Sequence, residues 1–232
     1  MTERGVAVVT GAAGGIGTAV ASDLRRVGWT VAGVDLSAPS DVDHAYALDV
    51  TDADAIDEMV ADLEHHVGPV TAVVSGAGHY RSLPVSEVST HEWDRMLRVH
   101  VGGFVNLSRA VLPRMAAHGS GAIVAIASEL AIGGGDADSH YSAAKGALIG
   151  LVRSLAEEVA STGVRVNAVA PGPTDTPMLA VDSPWRLPAY LATLPARRLA
   201  EPEEVATIVR FLIEEGSFCV GEVISPNSGA VI

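Results

Sequence analysis

The sequence predicts an α/β protein in which one doubly wound parallel sheet carries helices on both faces. Three observations favour this class. Short apolar runs rich in Val, Ala and Ile alternate with amphipathic segments of helical period, and such runs are typical of buried parallel strands. Glycine-rich turns follow two of these runs. No linker or internal repeat interrupts the alternation, so the 232 residues are expected to form a single domain.

Composition and charge narrow the function classes. The formal net charge of −13 argues against nucleic acid and anionic membranes as partners, because both bind basic surfaces. No apolar run approaches the length of a membrane span, and we expect no signal peptide. The single cysteine, Cys219, excludes an intrachain disulfide and is typical of a reducing cytoplasm. The eight histidines show no metal-ligand spacing, so no metal site is predicted.

The first predicted strand leads into a phosphate-binding turn. Residues 6–10 are an apolar β-branched run, and the chain then reads Thr10-Gly-Ala-Ala-Gly-Gly-Ile-Gly17 before an amphipathic helix to about Gly28. Glycines permit a tight turn and close approach of a ligand, and the N–H groups that begin the helix point at a phosphate. The strand–turn–helix context predicts dinucleotide contacts at Gly11, Gly15, Ile16 and Gly17.

The second predicted strand, residues 29–35, ends in an acid. Asp35 lies eighteen residues beyond Gly17, close to the spacing at which a carboxylate hydrogen-bonds the adenosine ribose. Its charge would repel a 2′-phosphate, and Leu36 beside it supplies no compensating cation, so the pattern favours NAD over NADP. An ordinary turn-forming Asp at the end of a strand is the alternative interpretation.

The rest of the chain continues the alternation. Further strands are predicted at 46–49, 70–74, 123–128, 164–170 and 218–225. Further helices are predicted at 52–67, at 93 to about 117 with a kink or interruption at Pro113, at 141 to about 162, and at 201–214. A second glycine turn, residues 75–78, follows the fourth strand. The proline-rich segment at about 173–195 lacks periodicity and is expected to be a lid over a substrate.

The most informative stretch lies between Ser128 and Lys145. The chain contains fourteen arginines and one lysine, Lys145, which follows Tyr141 by four residues. A helix places both side chains on one face, where the ammonium group favours the phenolate and lowers the phenol's pKa from its usual value of about 10. Such a tyrosine can exchange a proton near neutral pH. An ordinary polar pair on a helix is the alternative interpretation.

These motifs together resemble the classical short-chain dehydrogenase/reductase family along nearly the whole chain, which implies one Rossmann-type domain over residues 1–232. The matching elements are Thr10-Gly-x-x-x-Gly-Ile-Gly17, Asp35, Asp49-Val50, Ala77-Gly78, Ser128, Tyr141-x-x-x-Lys145 and Pro171-Gly172 with Thr176. The short loop after Asp35 and the phrase Val101-Gly-Gly-Phe-Val-Asn106 are similar to members that act on cyclic diols, such as 2,3-dihydro-2,3-dihydroxybenzoate dehydrogenase.

The resemblance implies an NAD-dependent oxidoreductase that interconverts a small secondary alcohol, such as a cyclic diol, and its ketone. Tyr141 would be the general acid/base toward the substrate oxygen, Lys145 would lower its pKa and hold the nicotinamide ribose, and Ser128 would orient the substrate. The other positions implied to contact NAD are Leu36, Asp49, Val50, Ala77, Gly78, Pro171, Gly172, Thr174 and Thr176. Members commonly form homotetramers through two long helices, here around 96–115 and 143–159, and through the last strand.

Two positions depart from the family pattern. Ser75 and His100 stand where the family has asparagine. In the family, the second asparagine shapes a helix kink whose backbone carbonyl holds a water in a proton relay to the lysine. Because that contact is main-chain, His100 either serves in the relay or damages it; a purely structural histidine is the further alternative. Damaged catalysis would leave a dinucleotide-binding regulator or scaffold, which is the alternative function.

Several neighbours of the matched positions are expected to line the substrate pocket without determining its selectivity. They are His79, Glu129, His140, Pro173 and Met178. Trp93, by contrast, is expected in the core.

Overall fold

All strands of the described chain belong to one sheet. The computed structural model describes residues 4–232. Seven parallel strands pair in the order β3-β2-β1-β4-β5-β6-β7. The strands are β1 (Val6–Thr10), β2 (Thr30–Asp35), β3 (His44–Ala47), β4 (Val70–Ser75), β5 (Gly121–Ile126), β6 (Val164–Val169) and β7 (Val223–Ile224). The α-helices are α1 (Gly15–Arg26), α2 (Ala53–His66), α3 (Thr90–Leu97), α4 (Gly103–His118), α5 (Leu130–Gly133), α6 (Ser139–Val159), α7 (Pro188–Leu191) and α8 (Pro202–Glu214). None of these helices is long and apolar enough to cross a membrane.

Helices cover both faces of the sheet, which confirms the doubly wound prediction. Helices α1 and α8 pack on one face, where Leu24 and Val209 join a buried cluster with the strands. Helices α2, α4 and α6 pack on the other face around Phe104 and Leu148. Strand order reverses between β1 and β4, so the chain leaves these neighbours toward opposite faces. A crevice therefore opens at their carboxyl ends.

The edge strands differ from the predicted ones. The sequence predicts the third strand at 46–49, but pairing with β2 already begins where the Asp43 amide donates to the Val31 carbonyl. The last strand contains only Val223 and Ile224 instead of residues 218–225. Gly221 adopts a left-handed φ of 72°. The chain therefore turns immediately before β7, and this turn shortens the strand.

The predicted long helix at 93–117 is divided. A π-helical turn, Arg98–Gly102, joins α3 to α4. Pro113 lies inside α4, and the irregularity is centred on His100 instead. Such π turns insert an extra residue and are frequent at functional sites. The prediction that Trp93 is a core residue is wrong, because its side chain is 39% exposed and Met96 is the residue that α3 buries.

The segment 173–195 follows β6 and forms two short helical turns, Pro184–Arg186 and α7. Arg186 organises its backbone. The guanidinium donates to the carbonyls of Leu179 and Ala180 and pairs with Asp175 at 2.7 Å. The segment therefore has its own internal hydrogen bonds beside the carboxyl ends of the strands.

Candidate active site

The turn between β1 and α1 is shaped to hold a phosphate group. Gly11 has a φ of 73°, which favours glycine. A Cβ atom at Gly17 would collide with the Gly11 carbonyl, so the turn leaves no room for a side chain at this position. Helix α1 begins after Gly14 with no side-chain cap and no acid in its first turn. Its first N–H groups are therefore available to an anion, and this cradle fits the pyrophosphate of a dinucleotide.

Asp35 lies at the end of β2 beside this cradle. One carboxylate oxygen accepts the Ala13 amide at 3.0 Å, and the other accepts the Leu36 amide at 2.7 Å. Both bonds fix the carboxylate at the rim of the glycine turn, the position predicted for a ribose contact. Leu36 extends from this rim with its side chain 74% exposed.

The opposite wall of the crevice is formed after β4. The Thr10 hydroxyl accepts the amides of Gly76 and Ala77 at 3.1 and 3.2 Å, so it ties the two glycine turns together. Val50 is buried, and its carbonyl accepts the Asn106 side-chain amide at 3.0 Å. These bonds position the backbone of the second glycine turn and of Val50, one of the positions implied to contact NAD.

The loop after β6 closes the third side. The Thr174 hydroxyl donates to the Gly172 carbonyl at 2.9 Å. A Cβ atom at Gly15 would lie 2.6 Å from the Thr176 methyl group, so Thr176 reaches the phosphate cradle. Gly172 is required for a different reason, since its Cβ atom would lie 2.6 Å from the Cα atom of Asn227.

One cleft of about 1150 Å³, open to solvent at its mouth, connects most of the predicted residues. Those that line it are Gly11, Gly15, Ile16, Gly17, Gly78, His100, Ser128, Tyr141, Lys145, Pro171, Gly172, Thr174 and Thr176. Those outside its lining are Asp35, Leu36, Asp49, Val50 and Ala77. Of the expected pocket-lining neighbours, Glu129, Pro173 and Met178 face the cleft and His79 and His140 do not.

Lys145 is buried at the base of the cleft. Its side chain is 4% exposed, and Nζ donates to the Ile126 carbonyl at the end of β5, 2.7 Å away. The same atom lies 5.6 Å from the centre of the Tyr141 ring, which confirms that the two side chains share one face of α6. Burial lowers the pKa of Lys145 to about 7.

The pKa of Tyr141 shifts against the expected direction. Burial raises the pKa of the phenol well above its usual value, and the Glu129 carboxylate adds to the increase. A hydrogen bond with Ser128 opposes it. The spacing indicates only that a lysine is near the phenol. Burial removes water from both groups, which disfavours the phenolate of Tyr141 and the ammonium form of Lys145. Tyr141 is therefore a protonated phenol at neutral pH.

His100 occupies the π turn and contacts this pair. It is 3% exposed, and its ring meets the Tyr141 ring edge-on at 5.6 Å between centres. Nε2 lies 2.9 Å from the His79 carbonyl oxygen and 3.2 Å from the His79 amide nitrogen. Nδ1 has no hydrogen-bond partner within residues 4–232. Burial, with Lys145 nearby, lowers the pKa of His100 well below its usual value, so the ring is neutral.

The sequence reasoning missed two aromatic residues in the cleft. Tyr80 packs edge-on against Tyr141 at 5.1 Å and donates to Asp138 at 2.8 Å, and Trp185 packs on Tyr80 at 5.5 Å. The chain has only four Tyr and three Trp, so their presence near motif positions and in the proline-rich segment was an available signal.

Within residues 4–232, no group of three or more His, Cys, Asp or Glu is positioned to hold a metal ion.

Comparison with known proteins assigns the family. The family model described as Enoyl-(Acyl carrier protein) reductase matches residues 11–230. The chain belongs to the classical short-chain dehydrogenase/reductase family. It is therefore an oxidoreductase of a family that binds a nicotinamide dinucleotide, and the glycine cradle described above fits such a cofactor.

Relatives cover the chain almost completely. A 3-oxoacyl-[acyl-carrier-protein] reductase from Thermotoga maritima is 34% identical over 99% of this chain and 99% of its own. The cis-4-hydroxycyclohexanecarboxylate dehydrogenase of Sinomonas cyclohexanicum is 39% identical over 97% of this chain and 95% of its own. The 3-oxoacyl-[acyl-carrier-protein] reductase of Escherichia coli is 35% identical over 98% of this chain and 97% of its own.

Proposed function

We propose that this short-chain dehydrogenase/reductase interconverts a small secondary alcohol and its ketone with NAD. The observation that carries the proposal is the convergence of Ser128, Tyr141 and Lys145 in the cleft that also contains the glycine cradle. A hydroxyl, a phenol and a buried amine beside a dinucleotide site are the groups that such a reaction needs. The relative from Sinomonas acts, by its name, on a secondary ring alcohol. We retain a ring alcohol or diol as the substrate class.

The three side chains divide the work on the substrate. Ser128 orients the substrate oxygen by donating a hydrogen bond to it, for which its hydroxyl proton turns away from the Glu129 carboxylate. Tyr141 transfers a proton between its hydroxyl group and the same oxygen, giving it to a ketone and taking it from an alcohol. Lys145 binds the cofactor ribose and supplies positive charge beneath the phenol. The nicotinamide cofactor, when bound, supplies the hydride exchange with the substrate carbon.

We propose that His100 joins the proton relay in place of the family's asparagine. The His79 backbone presents both a carbonyl and an amide to Nε2, so either tautomer of the neutral ring keeps a hydrogen bond. The helix is irregular at His100, where it forms a π turn, although histidine replaces the asparagine that shapes the kink in the family. We expect His100→Leu to lower kcat by about tenfold to a hundredfold, and His100→Asn to retain most of it. Equal losses in both variants would contradict the relay role.

Tyr141→Phe tests the enzyme assignment. The variant should keep its fold and its cofactor affinity while turnover falls by at least about a hundredfold, because phenylalanine cannot carry the proton. Tyr46→Phe is the matched control, since Tyr46 lies on the edge strand β3 and bonds Asp62 away from the cleft. Undiminished turnover in Tyr141→Phe would remove Tyr141 from its role. Dinucleotide binding by the wild type without turnover of any alcohol or ketone would favour the regulator or scaffold alternative.

NAD preference follows from Asp35. Its carboxylate, held by two amides at the cradle, suits ribose hydroxyls and repels a 2′-phosphate. We expect NADH to raise the melting temperature more than NADPH at equal concentrations. Asp35→Asn should narrow that difference, and Asp41→Asn, an exposed neighbour, should not. A larger stabilisation of the wild type by NADPH would contradict the assignment.

We propose three further properties of the enzyme as a whole. Residues 1–232 act as one domain with residues 173–195 as a substrate lid, and Trp185 on that segment lines the cleft. The enzyme assembles as a homotetramer; on α6, Cβ atoms built at Gly146 and Gly150 meet nothing within 4 Å in the described chain, which permits close approach of a partner helix. The third property is a cytoplasmic location, because a single, buried and unpaired Cys219 is typical of a protein in a reducing compartment. Light scattering during size-exclusion chromatography measures the assembly.

A further inference from the structure

An aromatic wall extends across the substrate side of the cleft. Tyr80 contacts Tyr141 at 5.1 Å and Trp185 at 5.5 Å between ring centres, and Tyr190 stacks on Trp185 at 6.5 Å. The chain contains only four Tyr and three Trp, and three of those tyrosines stand in this wall. Tyr80, Tyr141 and Trp185 line the cleft, where their rings can attract a cation as well as pack on an apolar ring.

A buried acid lies beside the aromatic wall. Glu129 is 5% exposed and lines the cleft, and its carboxylate accepts the Ser128 hydroxyl at 2.9 Å. The Glu129 amide donates to the Pro171 carbonyl at 3.0 Å, which fixes its backbone. A carboxylate is rarely buried without a partner of opposite charge, because desolvation penalises the anion. Within residues 4–232, the structure gives Glu129 no ion pair.

The charges around Glu129 are almost all acidic or neutral. Among residues 4–232, Glu129 and Lys145 are the only formally charged ones that line the cleft, and Lys145 donates to a main-chain carbonyl. The titratable groups that interact electrostatically with Glu129 are Asp138, Tyr80, Tyr141 and Tyr190. Burial raises the pKa of Glu129 to about 7, and the Ser128 hydroxyl only partly opposes this. Above about pH 7, the substrate side of the cleft therefore offers a negative charge that a cation would complement.

We propose that the substrate is a secondary alcohol or ketone that carries a positively charged nitrogen, with Glu129 as its ion-pair partner and the aromatic wall around it. The inference rests on the proposed function and specifies its substrate class. A cation would replace the missing partner of the buried carboxylate, and tyrosine and tryptophan faces attract ammonium groups. A carboxylate-bearing substrate would meet Glu129 as a like charge in a poorly solvated site. Glu129 is thus a specificity residue.

Three six-membered ring alcohols of similar shape test the charge preference. The probes are N-methyl-4-piperidinol, which is protonated at pH 8, uncharged cyclohexanol, and cis-4-hydroxycyclohexanecarboxylate. We expect kcat/KM with NAD to fall in that order, with a ratio of at least about tenfold between the cation and the anion. A ratio near one, or a preference for the neutral or anionic probe, would overturn the proposal.

Variants connect the preference to the residues. Glu129→Gln keeps an oxygen that can accept the Ser128 hydroxyl but removes the charge, so the ratio of kcat/KM between the cationic and the anionic probe should fall about tenfold, whatever the change in the rate common to all probes. Trp185→Leu should lower kcat/KM for the cationic probe more than for the other two probes. Glu58→Gln removes the same charge from an exposed position on α2 and is the matched control, in which the ratio should stay constant. An unchanged ratio in Glu129→Gln would refute the role of Glu129.

A binding measurement separates this proposal from the enzymatic one. With NADH present, the cationic probe should raise the melting temperature of the wild type more than the anionic probe does, and Glu129→Gln should abolish the difference. If no probe is oxidised but this selective stabilisation holds, the proposed reaction fails and the cation site stands. If probes are oxidised without charge selectivity in rate or binding, the reaction stands and the cation site fails.

Discussion

Replacing Glu129 with glutamine should stabilise the protein, even though it removes a residue from the active site. The pKa of Glu129 rises from an ordinary 4.5 to about 7, chiefly because burial penalises the carboxylate. A folded-state pKa above the unfolded-state value means that the folded protein binds more protons between these two pH values. Its free energy of unfolding therefore decreases as the pH rises from about 4.5 to about 7.

The size of the effect follows from the shift. The pKa rises from 4.5 to about 7, and each pH unit between these values costs about 1.4 kcal/mol. The free energy of unfolding is therefore lower by about 3 kcal/mol at pH 8. At 5% exposure, little solvent screening reduces this value. At pH 5 the folded carboxyl is protonated and the unfolded one is partly ionised, so the difference falls below about 1 kcal/mol. Glutamine carries no charge at either pH and can still accept the Ser128 hydroxyl.

Urea unfolding of the wild type and Glu129→Gln at pH 5 and pH 8, at equal protein concentration, measures the difference. We expect the variant to gain about 2 to 3 kcal/mol more over the wild type at pH 8 than at pH 5. The exposed control Glu58→Gln should show no such pH dependence. If the advantage of Glu129→Gln were equal at the two pH values, the buried carboxylate could not be its cause.

Three other predictions concern the cradle, the core and the proton. Gly17→Ala should abolish dinucleotide binding, because its Cβ atom would collide with the Gly11 carbonyl; thermal shift with NADH measures the loss. Arg165→Met should lower the free energy of unfolding by about 2 to 4 kcal/mol in urea titrations, because the guanidinium donates three bonds of 2.7 to 2.9 Å to carbonyls at the end of α8. The rate of alcohol oxidation should increase with pH above neutrality, because the raised pKa of Tyr141 keeps the phenol protonated; a rate that declines above pH 7 would contradict this.

Local patterns predicted the elements that meet at the cleft. The β-branched runs placed β1, β2, β4, β5 and β6 to within about two residues, because parallel strands buried on both faces need continuous apolar sequence. The glycine turn after β1 was predictable because the left-handed φ of Gly11 and the close contact of Gly17 with the Gly11 carbonyl are both local. The edge strand β7 was not, because its length depends on pairing with β6 after the turn at Gly221.

The division of the long helix was beyond such patterns. Pro113 is the visible helix breaker, yet α4 continues through it. The π turn occurs instead around His100, where the helix contacts the turn after β4 and the ring packs against Gly78. Gly78 is twenty-two residues earlier in the sequence, so no helical window contains both partners. A contact between two elements therefore accompanies the interruption of this helix, and no local window of sequence carries a signal of it.

The charge state of Tyr141 and Lys145, the proposed catalytic pair, shows the same limit at the level of chemistry. The spacing of Tyr141 and Lys145 predicted their proximity, and the distance of 5.6 Å bears this out. It did not predict the sign of the pKa shift, which depends on how much water the fold removes from both groups and on the carboxylate of Glu129. Glu129 adjoins Ser128 in the sequence, but its influence on Tyr141 exists only because β5 and α6 bring them into one cleft. A cation that pairs with Glu129 would reduce the field that disfavours the phenolate. Substrate charge and proton transfer would then be coupled through a single carboxylate.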